Sequence, residues 1–222
     1  EQGVKVCRCN SEILSLLKVY GNKKFRKRIG GERIQSDIIV YDVFGSSTCG
    51  EAPLRNGRPD ARMVVAGVDY GFADPVCIET FGLSGETWFG LDEFYARHIT
   101  DLRLQPEIDR IRELYGVRVF YIPHDQPKIV VEYHQIHDAK RPPTPMNERA
   151  VFIQNGDFKR KRSGIAHCYS LMETGRLKIS ERQPNLRREL KIYSYPDRDS
   201  RNRGEMPMDL NDHAPDAMFL SM

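Results

Sequence analysis

The sequence predicts an α/β domain, with a central mixed sheet of five or more strands flanked by helices on both faces. Three observations carry that expectation. Met63-Val64-Val65-Ala66-Gly67-Val68 is a continuous apolar run bounded by turn residues, the pattern of a strand buried on both faces. Two further β-rich runs follow it, joined by a loop of hairpin length. From Pro106 onwards, helix-period segments alternate with short apolar runs, as successive βα units do.

Taken in order, residues 11 to 29 place Ile13, Leu14, Leu16, Leu17, Val19, Tyr20, Phe25 and Ile29 at helical spacing, interrupted by Gly21-Asn22 and stopped by Gly30-Gly31. A helical arm is expected there, ahead of the core. Ile38 to Tyr41 reads as a short strand, and residues 45 to 60, rich in Gly, Ser, Pro and Asn, read as a linker. The expected division is a connector over residues 1–60 and the main domain over 61–222. The strand from Met63 ends on Asp69. Val76 to Leu83 and Thr87 to Tyr95, joined by Ser84-Gly85-Glu86, add two strands, antiparallel in expectation. Pro106 to Tyr115 has the helix period, with Ile108, Ile111, Leu114 and Tyr115 on one face. Val117 to Ile122 is the next strand, stopped by Pro123, and it delivers Asp125 just past its end. Further helices are expected over Lys128 to Ala139, Ser163 to Glu173 and Asn185 to Tyr193, with extended chain over Ala150 to Ile153 and Leu177 to Ile179. Residues 194 to 210 are polar enough for a mobile loop or an exposed hairpin. A last helix starts at Asn211 or Asp212 and carries Ala214, Ala217, Met218 and Leu220.

With 222 residues, the chain suits one core plus an appendage. It is 40% hydrophobic and 29% charged, with a mean hydropathy of −0.55, and it has no 18-residue apolar run; a membrane-spanning helix is excluded. Glu1-Gln2-Gly3-Val4-Lys5 carries neither an initiator Met nor a signal-like apolar stretch, so a piece of a longer chain is expected. The five cysteines are scattered, and Cys7-Arg8-Cys9 has the wrong spacing for a zinc knuckle or a thioredoxin-like pair, which points to free thiols in a reducing cytosol. The net charge of +3 is too small to imply a partner by itself. Local basic clusters do more: Lys18, Lys23, Lys24, Arg26, Lys27, Arg28 and Arg33, then Lys159-Arg160-Lys161-Arg162, with Arg201 and Arg203 further on. They are candidates for phosphate contacts, and equally ordinary solvated surface.

The acids are more pointed. Asp69 closes the most apolar strand, where a carboxylate is costly to bury unless a cation or a donor meets it. Asp125 follows the fourth strand. If those two strands are parallel neighbours, their ends lie roughly 4.8 Å apart. Two adjacent carboxylates repel unless a cation stands between them. A third source is Asp209-Leu210-Asn211-Asp212-His213-Ala214-Pro215-Asp216, whose Asp212 and Asp216 share one helix face. Asp212 also reads as a helix N-cap. Oxygen ligands with no thiolate suit Mg²⁺ or Mn²⁺ better than zinc, and two such ions roughly 3.5 to 4 Å apart can drive phosphodiester hydrolysis. Asp69, Asp125 and Asp216 are therefore the candidate catalytic, metal-binding acids, with Asp212, Asp209 and Glu93 as further candidate ligands and His213 in support. His134 and His137 have a spacing that could seat a metal, but lacking a third ligand they read as a surface helix.

The order of motifs is recognisable: Gly67-Val68-Asp69-Tyr70-Gly71 with Asp74-Pro75, Asp92-Glu93-Phe94-Tyr95, Asp125, Gly164-Ile165, Gly175-Arg176-Leu177, Glu189-Leu190, Tyr193, and Asn211-Asp212-His213-Ala214-Pro215-Asp216-Ala217. The series resembles the C-terminal nuclease domain of the large terminase subunit, the DNA-packaging motor of tailed phages. The resemblance implies an RNase H-like fold and a metal-dependent endonuclease that cleaves concatemeric double-stranded DNA in the host cytoplasm, with Asp69, Asp125 and Asp216 matching the metal-binding acids. It also implies an N-terminal ATPase domain, a small terminase subunit and a portal as partners, and a hairpin or loop over residues 194 to 208 near the active site. No Gly-Lys dipeptide occurs, so no Walker A lysine is present in its usual setting. The tail Met218 to Met222 lacks the Arg-Tyr pair often found after Asp-Ala in that family. The residues alone leave two other readings open: a junction resolvase or transposase-like nuclease sharing the acids, and a DNA-binding module without catalysis.

Overall fold

The computed structural model describes residues 38–71, 74–155 and 158–222; the expected arm over 11–29, the first basic cluster, and Cys7 and Cys9 lie outside them. The main sheet has six strands in the order β7-β6-β3-β4-β5-β8. These are β3 (Met63–Asp69), β4 (Val76–Ser84), β5 (Thr87–Ala96), β6 (Val119–Pro123), β7 (Val151–Asn155) and β8 (Leu177–Lys178). Strands β3, β4 and β5 are antiparallel in succession, whereas β6 runs parallel to β3, β7 to β6 and β8 to β5. The helices are α1 (Asp101–Tyr115), α2 (Pro127–Ala139), α3 (Phe158–Glu173), α4 (Pro184–Glu189), α5 (Arg198–Arg203) and α6 (His213–Ser221).

Strand side chains alternate between two cores, which is why the strands read as unbroken apolar runs. Ala66, Val68, Val76 and Ile78 join Leu104, Ile108 and Ile111 of α1 and Ile129 and Tyr133 of α2 on one face. Val65, Cys77 and Phe81 join Ile165, Cys168 and Met172 of α3 and Ala214, Ala217 and Met218 of α6 on the other. Helices therefore cover both faces, as expected. At the centre, α6 crosses β3 so closely that a Cβ on Gly67 would stand 1.9 Å from the Ala217 carbonyl oxygen. Only glycine permits that approach, and it brings the acids of α6 beside the end of β3.

Four elements differ from expectation. Helix α1 begins five residues before Pro106, because buried Leu104 and Ile108 pin its first turns to the sheet; packing here overrides the proline signal. Residues 45 to 60 contain a small antiparallel pair, β1 (Leu54–Arg55) and β2 (Arg58–Pro59), turned by Asn56-Gly57, both at positive φ. Just before them, Val40, Tyr41 and Phe44 enter the core beside Leu190 and Tyr193. Residues 194 to 210 are anchored rather than loose. They hold α5, Arg201 of that helix donates to Asp42 at 3.0 Å, Met208 N donates to the Ser194 carbonyl at 2.9 Å, and Met206 packs on the core. Finally, His137 is a core histidine, 1% exposed, with Nδ1 3.0 Å from Thr144 Oγ1 and Nε2 3.2 Å from Asp109. Burial lowers its pKa.

Candidate functional site

Asp69 ends β3 at the lip of a cleft of about 410 Å³, which Arg97, Lys161, Arg188, Glu189, Asp209, Asp212, His213 and Asp216 also line. Oδ2 of Asp69 lies 3.0 Å from Nδ1 of His213. Asp212 occupies the N-cap position of α6, yet its side chain makes no capping hydrogen bond. Glu189 serves the helix start in its place, accepting from Ala214 N at 2.9 Å. The Asp212 carboxylate turns to Lys161 Nζ at 3.2 Å, Asp216 Oδ2 meets the same ammonium at 2.7 Å, and Asp209 stands 3.7 Å away. One ammonium thus gathers the acids of the C-terminal segment. Asp209 is 92% exposed, whereas Lys161, Asp212 and Asp216 are largely enclosed.

The electrostatics describe a cluster short of positive charge. Burial raises the Asp69 pKa, opposed by its hydrogen bond and proximity to His213, and His213 is raised in turn, first by that hydrogen bond. Asp216 is pushed up to about 8: burial is the largest cause, Lys161 opposes it, and Asp69 and Asp212 add to it. Burial works against the Lys161 charge, but Asp216 and Asp212 outweigh it and hold its pKa above the usual value. A single ammonium therefore leaves the buried carboxylates under-neutralised. Asp216 Oδ1, buried and without a hydrogen-bond partner, is an acceptor awaiting a donor or a cation. The donor set fits a hard divalent ion: carboxylate oxygens, one imidazole alongside, and no cysteine on the cleft wall. Among the described residues, however, no three acids, histidines or cysteines already stand in metal-holding proximity. Lys161 is where Asp212 and Asp216 converge.

The other sequence candidates separate. Asp125 is exposed in the turn after β6 and lies off the cleft wall. Strand β6 is indeed the parallel neighbour of β3, with Gly67 opposite Tyr121. Glu93 points to α4, accepting from Asn185 N at 3.0 Å, Asn185 Nδ2 at 2.7 Å and Leu186 N at 2.7 Å. Arg162 and Arg201 line a separate crevice beside Tyr169 and Tyr195, and Arg203 pairs with Glu205. The side chains of Lys159 and Arg160 lie outside the described part. Glu189 is the residue that sequence reasoning passed over as a site residue. It is 1% exposed and accepts from Tyr95 Oη at 2.7 Å and Arg188 at 3.2 Å. Its signal was a carboxylate three residues from Leu186 and next to Leu190, on the apolar face of a short helix.

No protein-family model matches the sequence, and no curated protein does. Solved structures match in fold. The large terminase of a thermophilic bacteriophage, solved in complex with ADP, superposes with a TM-score of 0.66 at 16% identity over 97% of this chain and 51% of that one. The large terminase nuclease of the thermophilic phage G20c with bound magnesium gives 0.59 at 14% identity, over 86% and 97%. The large terminase nuclease domain of bacteriophage SPP1 with bound manganese gives 0.55 at 14%, over 78% and 93%. The chain spans about half the length of the first of these, the terminase solved with ADP. At these identities the likeness establishes the fold, the mixed six-stranded α/β sheet of large terminase nuclease domains.

Proposed function

We propose that this chain is the nuclease part of a large terminase subunit, a metal-dependent endonuclease that cleaves concatemeric double-stranded viral DNA during genome packaging. The observation that carries this reading is the enclosure of Asp69, Asp212 and Asp216 around too little positive charge, at the end of a buried strand, in a fold shared with nucleases solved with magnesium or manganese. Asp69, Asp212 and Asp216 would hold the ions, with exposed Asp209 at the rim. Asp125 is assigned to the same acid set on its position after the strand neighbouring β3. Two Mg²⁺ or Mn²⁺ ions held there would supply an activated water and stabilise the attacking and leaving oxygens of in-line phosphodiester hydrolysis.

The rest of the work falls to the chain. His213 fixes the orientation of the Asp69 carboxylate through Oδ2, the outer-partner role that keeps a ligand aimed. Glu189 anchors the start of α6, and with it Asp212 and Asp216, to α4 and Tyr95. Arg97 and Arg188, on the cleft wall, meet backbone phosphates without reading sequence, and Lys159, Arg160, Arg162, Arg201 and Arg203 are further candidates for such contacts. In a full-length subunit the partners would be an ATPase domain, a small terminase subunit and a portal, acting in the host cytoplasm. Among the described residues no helix is long and apolar enough to cross a membrane.

The test is incubation of the chain with supercoiled plasmid at low salt in Mn²⁺, Mg²⁺ or EDTA, beside Asp69→Asn. The reading expects cleavage in metal, none in EDTA and none from a folded Asp69→Asn. Metal-independent cleavage, or cleavage retained by the variant, contradicts it.

A further inference from the structure

Lys161 is enclosed in the acidic cleft, and nothing in the nuclease chemistry proposed for the site uses its charge. Its Nζ contacts Asp216 Oδ2 at 2.7 Å and Asp212 Oδ2 at 3.2 Å, with Asp209 at 3.7 Å, and its side chain is only 17% exposed. A phosphate-gripping lysine of a DNA groove would present its ammonium to solvent. This one is turned inward, consumed by carboxylates. A divalent ion taking carboxylate oxygens here would call on the same Asp212 and Asp216 oxygens that the ammonium now holds. The two cations would compete for those oxygens.

Resting on the nuclease reading, we propose that Lys161 is a built-in competitor of the divalent ion: it neutralises the acid cluster when no metal is bound and must withdraw for metal to bind. Three features support this exchange of one cation for another. The carboxylates converge on the ammonium, and no preassembled metal cluster is found among the described residues. Asp216 Oδ1 is buried and unpartnered, so the cluster keeps unused acceptor capacity that one ammonium does not fill. An ammonium on a four-carbon stem is a flexible point charge, able to leave by side-chain rotation. The consequence is a nuclease site that is held together, and held inactive, until the metal concentration suffices to displace the lysine. The withdrawn ammonium is then free for an approaching phosphate.

The test is Mn²⁺ binding by isothermal titration calorimetry to the 222-residue chain and to Lys161→Met, whose side chain is unbranched, one atom shorter and uncharged. The expected result is Mn²⁺ affinity raised about ten-fold or more in the variant, within the usual range of such couplings. Because the variant could lose its fold in EDTA, its thermal unfolding is followed with and without Mn²⁺, and a Mn²⁺-dependent rise in Tm larger than that of the parent is expected. Lys161→Arg, which keeps the charge, should bind Mn²⁺ no more tightly than the parent. Equal Mn²⁺ affinity in parent and Lys161→Met overturns the competition and leaves the nuclease reading standing. No Mn²⁺ binding by either chain overturns both.

Discussion

Asp69, Asp212 and Asp216 at the mouth of the cleft and Glu79 and Glu93 in the interior are two groups of carboxylates on one sheet, and the fold treats them differently. Glu79 is fully buried on β4. Its Oε2 accepts from Gln183 Nε2 at 2.7 Å, its Oε1 is 3.5 Å from Cys77 Sγ, and it shares a hydrogen bond with Glu93, whose oxygens accept from the start of α4. Burial raises the Glu79 pKa well above its ordinary value. Burial favours its neutral form, the Gln183 amide meets it, and a Cβ on Gly90 would collide with that Gln183 side chain. The aspartates receive the opposite treatment: a cation, an open cleft and one buried oxygen left over. A structural acid is neutralised and closed off, whereas an acid kept for cation chemistry is left wanting charge.

Breaking the cleft cluster should cost the most. Asp69→Asn should lower cleavage by more than about 100-fold, beyond what loss of an outer partner costs, while circular dichroism stays native. Asp125→Asn should do the same if that acid joins the set, and unchanged cleavage would remove it. Next, His213→Ala frees the Asp69 carboxylate and should weaken Mn²⁺ binding by about 10- to 100-fold in calorimetry; unaltered affinity would make the contact incidental. Gly67→Ala forces α6 off β3 and should lower stability to urea by about 1–3 kcal/mol, and with it the alignment of Asp216 on Asp69. An unchanged urea midpoint would contradict that close crossing.

The smallest effect sharpens the sealed side. Since the folded-state pKa of Glu79 lies above its usual 4.5, the folded chain holds a proton there that the unfolded chain has released, and stability falls as pH rises through that window. Glu79→Gln supplies the neutral form permanently. Its urea midpoint should therefore decline less between pH 5 and pH 8 than the parent's, and parallel curves would show that Glu79 is charged in the fold.

Much of this was legible in the sequence. The apolar run ending on Asp69 announced a strand buried on both faces and an acid at its end, and the four-residue spacing of Asp212 and Asp216 put both on one helix face. Those signals are local and periodic. What stayed hidden depends on partners far apart in the chain. Lys161 belongs to a basic run that reads as surface, and only the packing of α3 on α6 turns it onto Asp216, 55 residues away. Glu93 alternates along β5 with nothing to say that its face meets the start of α4. Pro106 marked the start of a helix locally, whereas the burial of Leu104 carries that helix back to Asp101.

The most direct test of the account is anomalous diffraction from crystals soaked in Mn²⁺. The account predicts peaks in the cleft, with oxygens of Asp69 and Asp216 among the ligands and Lys161 Nζ moved away, and none at Glu79 and Glu93. A cleft without manganese, or manganese bound at the interior glutamates, would contradict it.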